Sequence, residues 1–171
     1  RVLVFNTNSS GIPLDYTADY VIGQPDFTTN SATITQNKLN GPRGITYDSV
    51  NKFLFVSDNT TWGRIMVFDL SSGITNGMNA SYVIGQEDFT SEVIATDQDS
   101  IRGVFGVEYD ETSELLFVRD LFRVVIYDLS SGITNGMNAS YVLGQANFTA
   151  EVTAITQNNF SMAELPTPNA T

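Results

Sequence analysis

The 171-residue sequence contains no histidine and no cysteine. The lack of histidine excludes an imidazole base, a histidine-containing catalytic triad and histidine ligands for zinc. The lack of cysteine excludes thiolate nucleophiles, cysteine metal sites and disulfides. Catalysis would have to rest on carboxylates, lysine, tyrosine or hydroxyls, so we predict a chain that is not an enzyme and that has no metal or cofactor.

Basic residues are scarce as well, with 8 lysines and arginines against 19 acidic residues and a net charge of -11. The few cations are scattered, and an acidic chain repels the phosphate backbone of nucleic acids. No apolar run approaches the ~20 residues that span a bilayer. We therefore expect neither nucleic-acid binding nor membrane insertion, while 42% hydrophobic residues indicate a folded chain.

An internal repeat organises the chain. The segment DLSSGITNGMNASYV, Asp69 to Val83, recurs without change from Asp128 to Val142. A diverged third copy, RVLVFNTNSSGIPLDYTADYVIGQPDFT, occupies residues 1–28. A second block, residues 41–65, is matched by residues 101–125.

Each unit has the pattern of a β-meander. The polar turn from Asp48 to Asn51 separates two apolar stretches, which is typical of a hairpin. Asn76-Gly77 and its duplicate Asn135-Gly136 are strong turn dipeptides. The sequence thus predicts an all-β fold of β-propeller type, built from four-stranded antiparallel blades.

The repeats divide the chain into about two and a half blades. Residues 1–28 form the second half of a blade, residues 41–90 and 101–149 a complete blade each, and residues 150–171 an extended C-terminal tail or linker. Propellers close with ~4 to 8 blades, so we predict that the chain does not close a ring alone. It is a window of a longer propeller, a subunit that closes a ring with its copies, or one that polymerises head to tail.

The segment PRGITYD followed by LFVSDNTTWGRIMVFD resembles the NHL repeat, a propeller blade. The trailing YVIGQPDFT is similar to a variant found in secreted microbial NHL proteins. The resemblance implies a β-propeller and no particular activity, because propellers host unrelated functions. Lyases that resemble this fold carry metal-binding histidines, which this chain lacks. RNA-binding NHL proteins need a basic surface, which a net charge of -11 does not provide.

Asn-X-Ser/Thr sequons are unusually frequent. Seven occur among fifteen asparagines, where about three are expected by chance. Asparagine, serine and threonine also favour turns, and two of the sequons are one motif copied. The candidate N-glycosylation sites are Asn8, Asn59, Asn79, Asn138, Asn147, Asn159 and Asn169. Their use would place the protein outside the cytoplasm.

Repeated aspartates allow two interpretations. Asp58 and Asp120 end equivalent strands, and Asp48 and Asp110 begin equivalent turns. A ring of carboxylates would suit Ca²⁺, whereas an aspartate at a strand end usually accepts hydrogen bonds from turn amides. We favour the turn interpretation. Glycosidase-style carboxylate pairs among Glu87, Asp88, Glu92, Asp97 and Asp99 are disfavoured, because the other copies lack one acid of the pair.

Other repeated residues have structural interpretations. Arg64 and Arg123 begin equivalent strands and should pair with an acid or pack their stems, and Arg43 and Arg102 are interpreted in the same way. Gly-Gln follows Tyr-Val-aliphatic in all three copies, where glycine permits a bend and the glutamine amide bridges adjacent backbones. Trp62 and Tyr47 have the chemistry to stack a sugar, but a tryptophan in a turn more often covers a blade face.

These observations predict an extracellular or cell-surface structural protein. It would associate with copies of itself through open blade edges into a filament or ring, and it would carry glycans. The alternative is a fragment of a larger NHL-type propeller that acts as a carbohydrate- or protein-binding module.

Overall fold

The computed structural model describes residues 1–60, 62–154 and 156–159. These residues form ten β-strands and no helix, in three separate antiparallel sheets of two, four and four strands. We call the sheets blades 1, 2 and 3 in chain order. The all-β, bladed architecture with no ring closed inside one chain is confirmed.

Blade 1 consists of two strands, β1 (Val2–Val4) and β2 (Tyr20–Ile22), with Leu3 opposite Val21. These strands lie within the segment predicted to supply half a blade. β1 is at one edge of this sheet, and no described strand pairs with its other side.

Blades 2 and 3 are meanders in which each strand pairs with the next. Blade 2 contains β3 (Pro42–Asp48), β4 (Phe53–Asn59), β5 (Gly63–Asp69) and β6 (Tyr82–Ile84). Blade 3 contains β7 (Gly106–Asp110), β8 (Leu115–Arg119), β9 (Val124–Asp128) and β10 (Tyr141–Leu143). Most of the predicted tail, residues 160–171, lies outside the described residues.

The core lies between the blades because successive side chains of a strand point to opposite faces of its sheet. Along β5, Ile65 and Val67 pack against blade 3, and Met66 and Phe68 pack against blade 1. All four side chains are fully buried. Blade 2 is therefore covered on both faces, while blades 1 and 3 are each covered on one.

Candidate functional site

Two fully buried arginines connect the strands to the loops around them. Arg64 is the second residue of β5, and its Nη2 donates to the carboxylate of Asp58 at 2.9 Å and to the carbonyl of Lys38 at 2.8 Å. Its Nη1 donates to the carbonyl of Phe89 at 2.7 Å. The Asp58 carboxylate also accepts from the amides of Asn40 and Gly41. The predicted pairing of Arg64 with an acid is confirmed.

Blade 3 repeats this arrangement. Arg123 donates to Asp120 at 2.8 Å and to the carbonyls of Ser100 and Phe148. Asp120 also accepts from the amide of Phe122. Both pairs are nine-tenths or more buried, and their donors and acceptors are satisfied inside the protein. Buried pairs of this kind position backbone segments and offer no free group for chemistry.

Blade 1 contains a third member of this series, Arg1. Its guanidinium donates to the carbonyl of Phe27, which corresponds to Phe89 and Phe148 in the other copies. Within the described residues Arg1 has no carboxylate partner, in contrast to Arg64 and Arg123.

The aspartates proposed as calcium ligands cap turns. The carboxylate of Asp48 accepts from the amides of Val50 and Asn51 at 2.9 Å. That of Asp110 accepts from the amide of Thr112 at 3.0 Å. The described part of the chain contains no group of three or more acidic side chains placed to hold a metal ion. The turn interpretation accounts for both residues.

The acidic loop residues considered as members of a glycosidase-style carboxylate pair are all exposed, namely Glu87, Asp88, Glu92, Asp97 and Asp99. Hydrogen bonds from the amide and hydroxyl of Thr90 to the Asp88 carboxylate lower its pKa. A general acid for glycoside cleavage needs a raised pKa, so Asp88 has the opposite electrostatics. It caps the turn that follows blade 2.

The repeated Gly-Gln forms a clamp at the exit of each blade. In blade 2, the amide of Gln86 exchanges two hydrogen bonds with the backbone of Val93 and donates a third to Gly63. Gly85 has φ +85°, and a Cβ there would lie 2.5 Å from Cδ1 of Ile101. The predicted bend and the predicted bridging of adjacent backbones are both confirmed.

The Asn-Gly loops have a function that the sequence did not indicate. Oδ1 of Asn135 accepts from the amide of Val83 at 3.0 Å, and the amide of Gly136 donates to the Val83 carbonyl at 3.1 Å. Asn76 and Gly77 bind Val21 in the same way. Each loop thus hydrogen-bonds to the main chain of the outer strand of the preceding blade, and we call this pair of hydrogen bonds the clasp. The sequence signal that could have indicated this contact is that the Asn-Gly dipeptide is repeated together with its flanking residues.

One proposed equivalence is wrong. Arg43 lies within β3 with its guanidinium 5.4 Å from the centroid of the Phe105 ring. Arg102 precedes β7 by several residues and forms an ion pair with Glu151 at 2.9 Å. When the two blades are aligned by the register of their strands, Arg43 corresponds to Phe105 and not to Arg102. The Arg-Gly dipeptide lies at a different distance from the first strand in each blade, so it does not mark equivalent positions.

The two ends of the blade stack expose apolar side chains. At blade 3, Tyr141 and Leu143 are 56% and 48% exposed. At blade 1, Leu3 and Phe5 are 46% and 37% exposed. We call these surfaces the blade 3 end face and the blade 1 end face. Groups of exposed apolar residues mark interaction surfaces more often than isolated ones do.

A cavity of about 250 Å³ opens between blades 2 and 3. Asp48, Phe53, Tyr109 and Glu114 are among the residues that line it. Burial and the nearby Asp48 carboxylate raise the pKa of Tyr109 to about 12. Neither Tyr47, which is exposed, nor Trp62, which is half-buried, lines this cavity.

The sequons differ in accessibility. Asn8, Asn79, Asn138 and Asn147 are exposed, whereas Asn59 and Asn159 are half-buried. The carbonyl oxygens of Asn8 and Asn147 accept hydrogen bonds within their own turns. Asn169 lies outside the described residues.

No family model, curated protein or solved structure matches this chain. The NHL resemblance therefore rests on the residues quoted above. Among the described residues, no helix has the length and apolarity required to traverse a membrane.

Proposed function

We propose that this chain is an extracellular or cell-surface structural protein that associates with copies of itself. The repeat pattern predicted contacts through open blade edges, whereas the exposed apolar side chains at the two ends of the blade stack favour contacts through the two end faces. The observation that carries the proposal is that each end face has the same residue positions as a face of blade 2 that another blade covers. The packing between blades inside the molecule therefore indicates how two copies could pack.

The blade 3 end face corresponds to the surface of blade 2 that blade 3 covers. Leu143 occupies the position of Ile84, and Tyr141 that of Tyr82. Ile84 is fully buried against blade 3, whereas Leu143 is 48% exposed. Full burial of an aliphatic side chain stabilises by roughly 1.5–3 kcal/mol, so covering this face is favourable.

The blade 1 end face corresponds to the opposite surface of blade 2. Leu3 and Phe5 occupy the positions of Met66 and Phe68. The latter two are fully buried against blade 1, whereas Leu3 and Phe5 are exposed.

The two end faces are unlike each other, and inside the molecule such faces pack together. A contact between the blade 3 end face of one copy and the blade 1 end face of the next is heterologous. Contacts of this type produce a ring when the rotation closes and a filament when it does not. A chain that assembles in this way has a structural role and needs no catalytic group.

The accessibility of two candidate glycosylation sites supports the extracellular part of the proposal. Asn79 and Asn138 are exposed and form no side-chain hydrogen bond in the described structure, so their amides are accessible for modification. An intact mass of native protein equal to the unmodified chain would count against glycan attachment and against this localisation.

The cavity between blades 2 and 3 supports the second candidate, a carbohydrate- or protein-binding module of a larger NHL-type propeller. Its aromatic and carboxylate lining has the composition of a small-ligand site. A chain that stays monomeric under all conditions would favour this candidate over the structural one.

Complementary variants test the assembly. Leu143→Lys blocks the blade 3 end face, and Leu3→Lys blocks the blade 1 end face. We expect wild-type protein to form oligomers in light scattering and each variant alone to be monomeric. A mixture of the two should form a one-to-one dimer that does not grow, because one intact face of each kind remains.

Val50→Lys is the matched control, since Val50 is 69% exposed in a turn away from both end faces. It should assemble as the wild type does. A wild-type monomer of 18.7 kDa, or variants that dimerise without being mixed, would refute head-to-tail assembly.

A further inference from the structure

The clasp between blades 2 and 3 contains an Asn-Gly dipeptide, a sequence in which asparagine readily loses its side-chain amide because glycine leaves the next nitrogen unhindered. Asn135 is exposed, so water reaches its carboxamide. Its Oδ1 accepts from the N–H of Val83 at 3.0 Å, and the N–H of Gly136 donates to the C=O of Val83 at 3.1 Å. Both reacting groups of the dipeptide are therefore tied to a fully buried residue across the contact between the blades, which we call the seam.

Loss of the amide proceeds through a ring that the clasp prevents from forming. The Gly136 nitrogen attacks Cγ of Asn135, the proton of that nitrogen passes to a solvent base, and Nδ2 takes up a proton and leaves as ammonia. Water, the only co-reactant, then opens the cyclic imide to aspartate or to isoaspartate, and neither an oxidant nor a reductant is needed. While the N–H of Gly136 donates to Val83, the nitrogen keeps its proton and is held away from ring closure.

Isoaspartate does not fit back into the clasp. Its main chain runs through the former side chain, which lengthens the path to Gly136 by one carbon atom and leaves a carboxylate on the α-carbon. Gly136 has little room for this change, since a Cβ built on it would lie 3.1 Å from Cα of Glu87 in the preceding blade. The N–H of Gly136 is then displaced from the carbonyl of Val83, and the seam loses its clasp.

The chain contains two further Asn-Gly dipeptides that differ in what holds them. Asn76-Gly77 forms the equivalent clasp at the seam between blades 1 and 2. Asn40-Gly41 forms no such clasp, because the N–H of Gly41 donates to the carboxylate of Asp58 within blade 2 at 2.7 Å. One molecule thus provides a site for each seam and a third site for comparison.

We propose that Asn135 is a spontaneous modification site gated by its seam. Opening of the contact between blades 2 and 3 frees the dipeptide, and conversion to isoaspartate then keeps that seam open. Native proteins open locally at a lower free energy than they unfold globally, so the rate at Asn135 follows the open population of this seam. Asn76 is the corresponding site of the other seam. The site lies inside one chain and does not require that end-face assembly occurs.

Peptide mapping by mass spectrometry, with methyltransferase labelling to mark isoaspartate, measures the rate at each of the three asparagines in warm, mildly alkaline buffer. We expect Asn135 and Asn76 to react at least about tenfold more slowly in folded protein than in protein unfolded by urea. Equal rates in the folded and unfolded states would overturn the proposal.

Two matched variants loosen the seams separately. Ile101 packs in the seam between blades 2 and 3, and Leu39 packs in the seam between blades 1 and 2, each against the glycine at the exit of the preceding blade. Ile101→Ala should raise the rate at Asn135 about tenfold or more and leave the rate at Asn76 nearly unchanged. Leu39→Ala should do the reverse. Equal acceleration at Asn135, Asn76 and Asn40 in Ile101→Ala would make global unfolding the gate and would contradict the proposal.

Wild-type protein provides the test if Ile101→Ala does not fold. In urea below the unfolding transition, the rate at Asn135 should rise in parallel with hydrogen exchange of the Val83 amide. Protein modified at Asn135, separated by ion exchange, should lose protection at Val83. Asn135→Asp keeps an acceptor on an ordinary main chain and should retain that protection. A rate that does not follow exchange, or a modified form with full protection at Val83, would refute the gating.

Discussion

At Gly85 two independent requirements favour glycine. The backbone there has φ +85°, a region that L-residues with a side chain rarely adopt. A Cβ would also lie 2.5 Å from Ile101, which is fully buried between blades 2 and 3. Gly73 shares the first requirement, with φ +97°, and has no atom near its Cβ position.

Gly85→Ala should therefore destabilise the protein more than Gly73→Ala. We expect about 1–2 kcal/mol for Gly73→Ala from the backbone alone, and a further ~1–3 kcal/mol for Gly85→Ala from crowding against Ile101. Urea unfolding followed by circular dichroism measures both. Equal losses for the two variants would contradict the crowding argument.

Single residues were predictable where their partners are close in sequence. Arg64 and Asp58 flank one short turn, so an ion pair between them could be expected. The carbonyls of Lys38 and Phe89, which complete the site, come from distant loops that no local pattern connects to Arg64. Arg43 and Arg102 were matched by a shared Arg-Gly dipeptide, although strand register decides equivalence.

The loop around Asn135 joins two blades. Val83 is fully buried, and its amide has Asn135 Oδ1 as its hydrogen-bond partner across the seam. The sequence predicted this loop as a turn because of Asn-Gly. Its second role depends on the neighbouring blade, so it became visible only when the packing was known.

Asn135→Ala should cost about 1–3 kcal/mol, because it leaves the buried Val83 amide without an acceptor. Asn138→Ala is the matched control in the same loop: Asn138 is exposed, and its loss should change stability by less than ~0.5 kcal/mol in unglycosylated protein. Hydrogen exchange at Val83 reports the seam directly. Unchanged protection in Asn135→Ala would argue against the clasp.

Across the whole molecule, exposed aspartates cap turns at equivalent positions of the blades. Hydrogen bonds from the amide and hydroxyl of Thr29, and then of Thr28, lower the pKa of Asp26 to about 2. The pKa of Asp88 is lowered by the corresponding bonds from Thr90. Asn147 caps the equivalent turn in blade 3 by accepting from Thr149, and it cannot titrate.

Acid should therefore weaken the fold. A carboxylate with a folded-state pKa below its unfolded value of 3.8 stabilises the protein above that value, and this contribution is lost as pH falls toward 2. Thermal midpoints measured from pH 5 to pH 2 should decrease. The thermal midpoint of the double variant Asp26→Asn, Asp88→Asn should decrease less over this pH range. A decrease as large as in the wild type would show that other groups cause the acid sensitivity.

For the whole molecule, the repeat was sufficient to predict three sheets, of which the first has only half the strands of the other two. It did not predict the end faces, because Leu143 and Ile84 occupy the same position of the same motif in the sequence. Their exposures differ because blade 3 packs over Ile84, whereas no described element packs over Leu143 in the same way. Context of this kind is absent from a repeat unit considered alone.

The clasp between blades has a consequence for how such a chain can grow. Asn135 and Gly136 bind the main chain of Val83, and Asn76 and Gly77 bind the main chain of Val21, so neither contact depends on a particular side chain in the preceding blade. A gene segment that encodes one unit carries both the clasp and the backbone that the next clasp needs. Duplication of that segment therefore preserves this contact without any compensating substitution at the contact itself, and the unchanged copy of Asp69–Val83 at Asp128–Val142 has the form that such an event leaves.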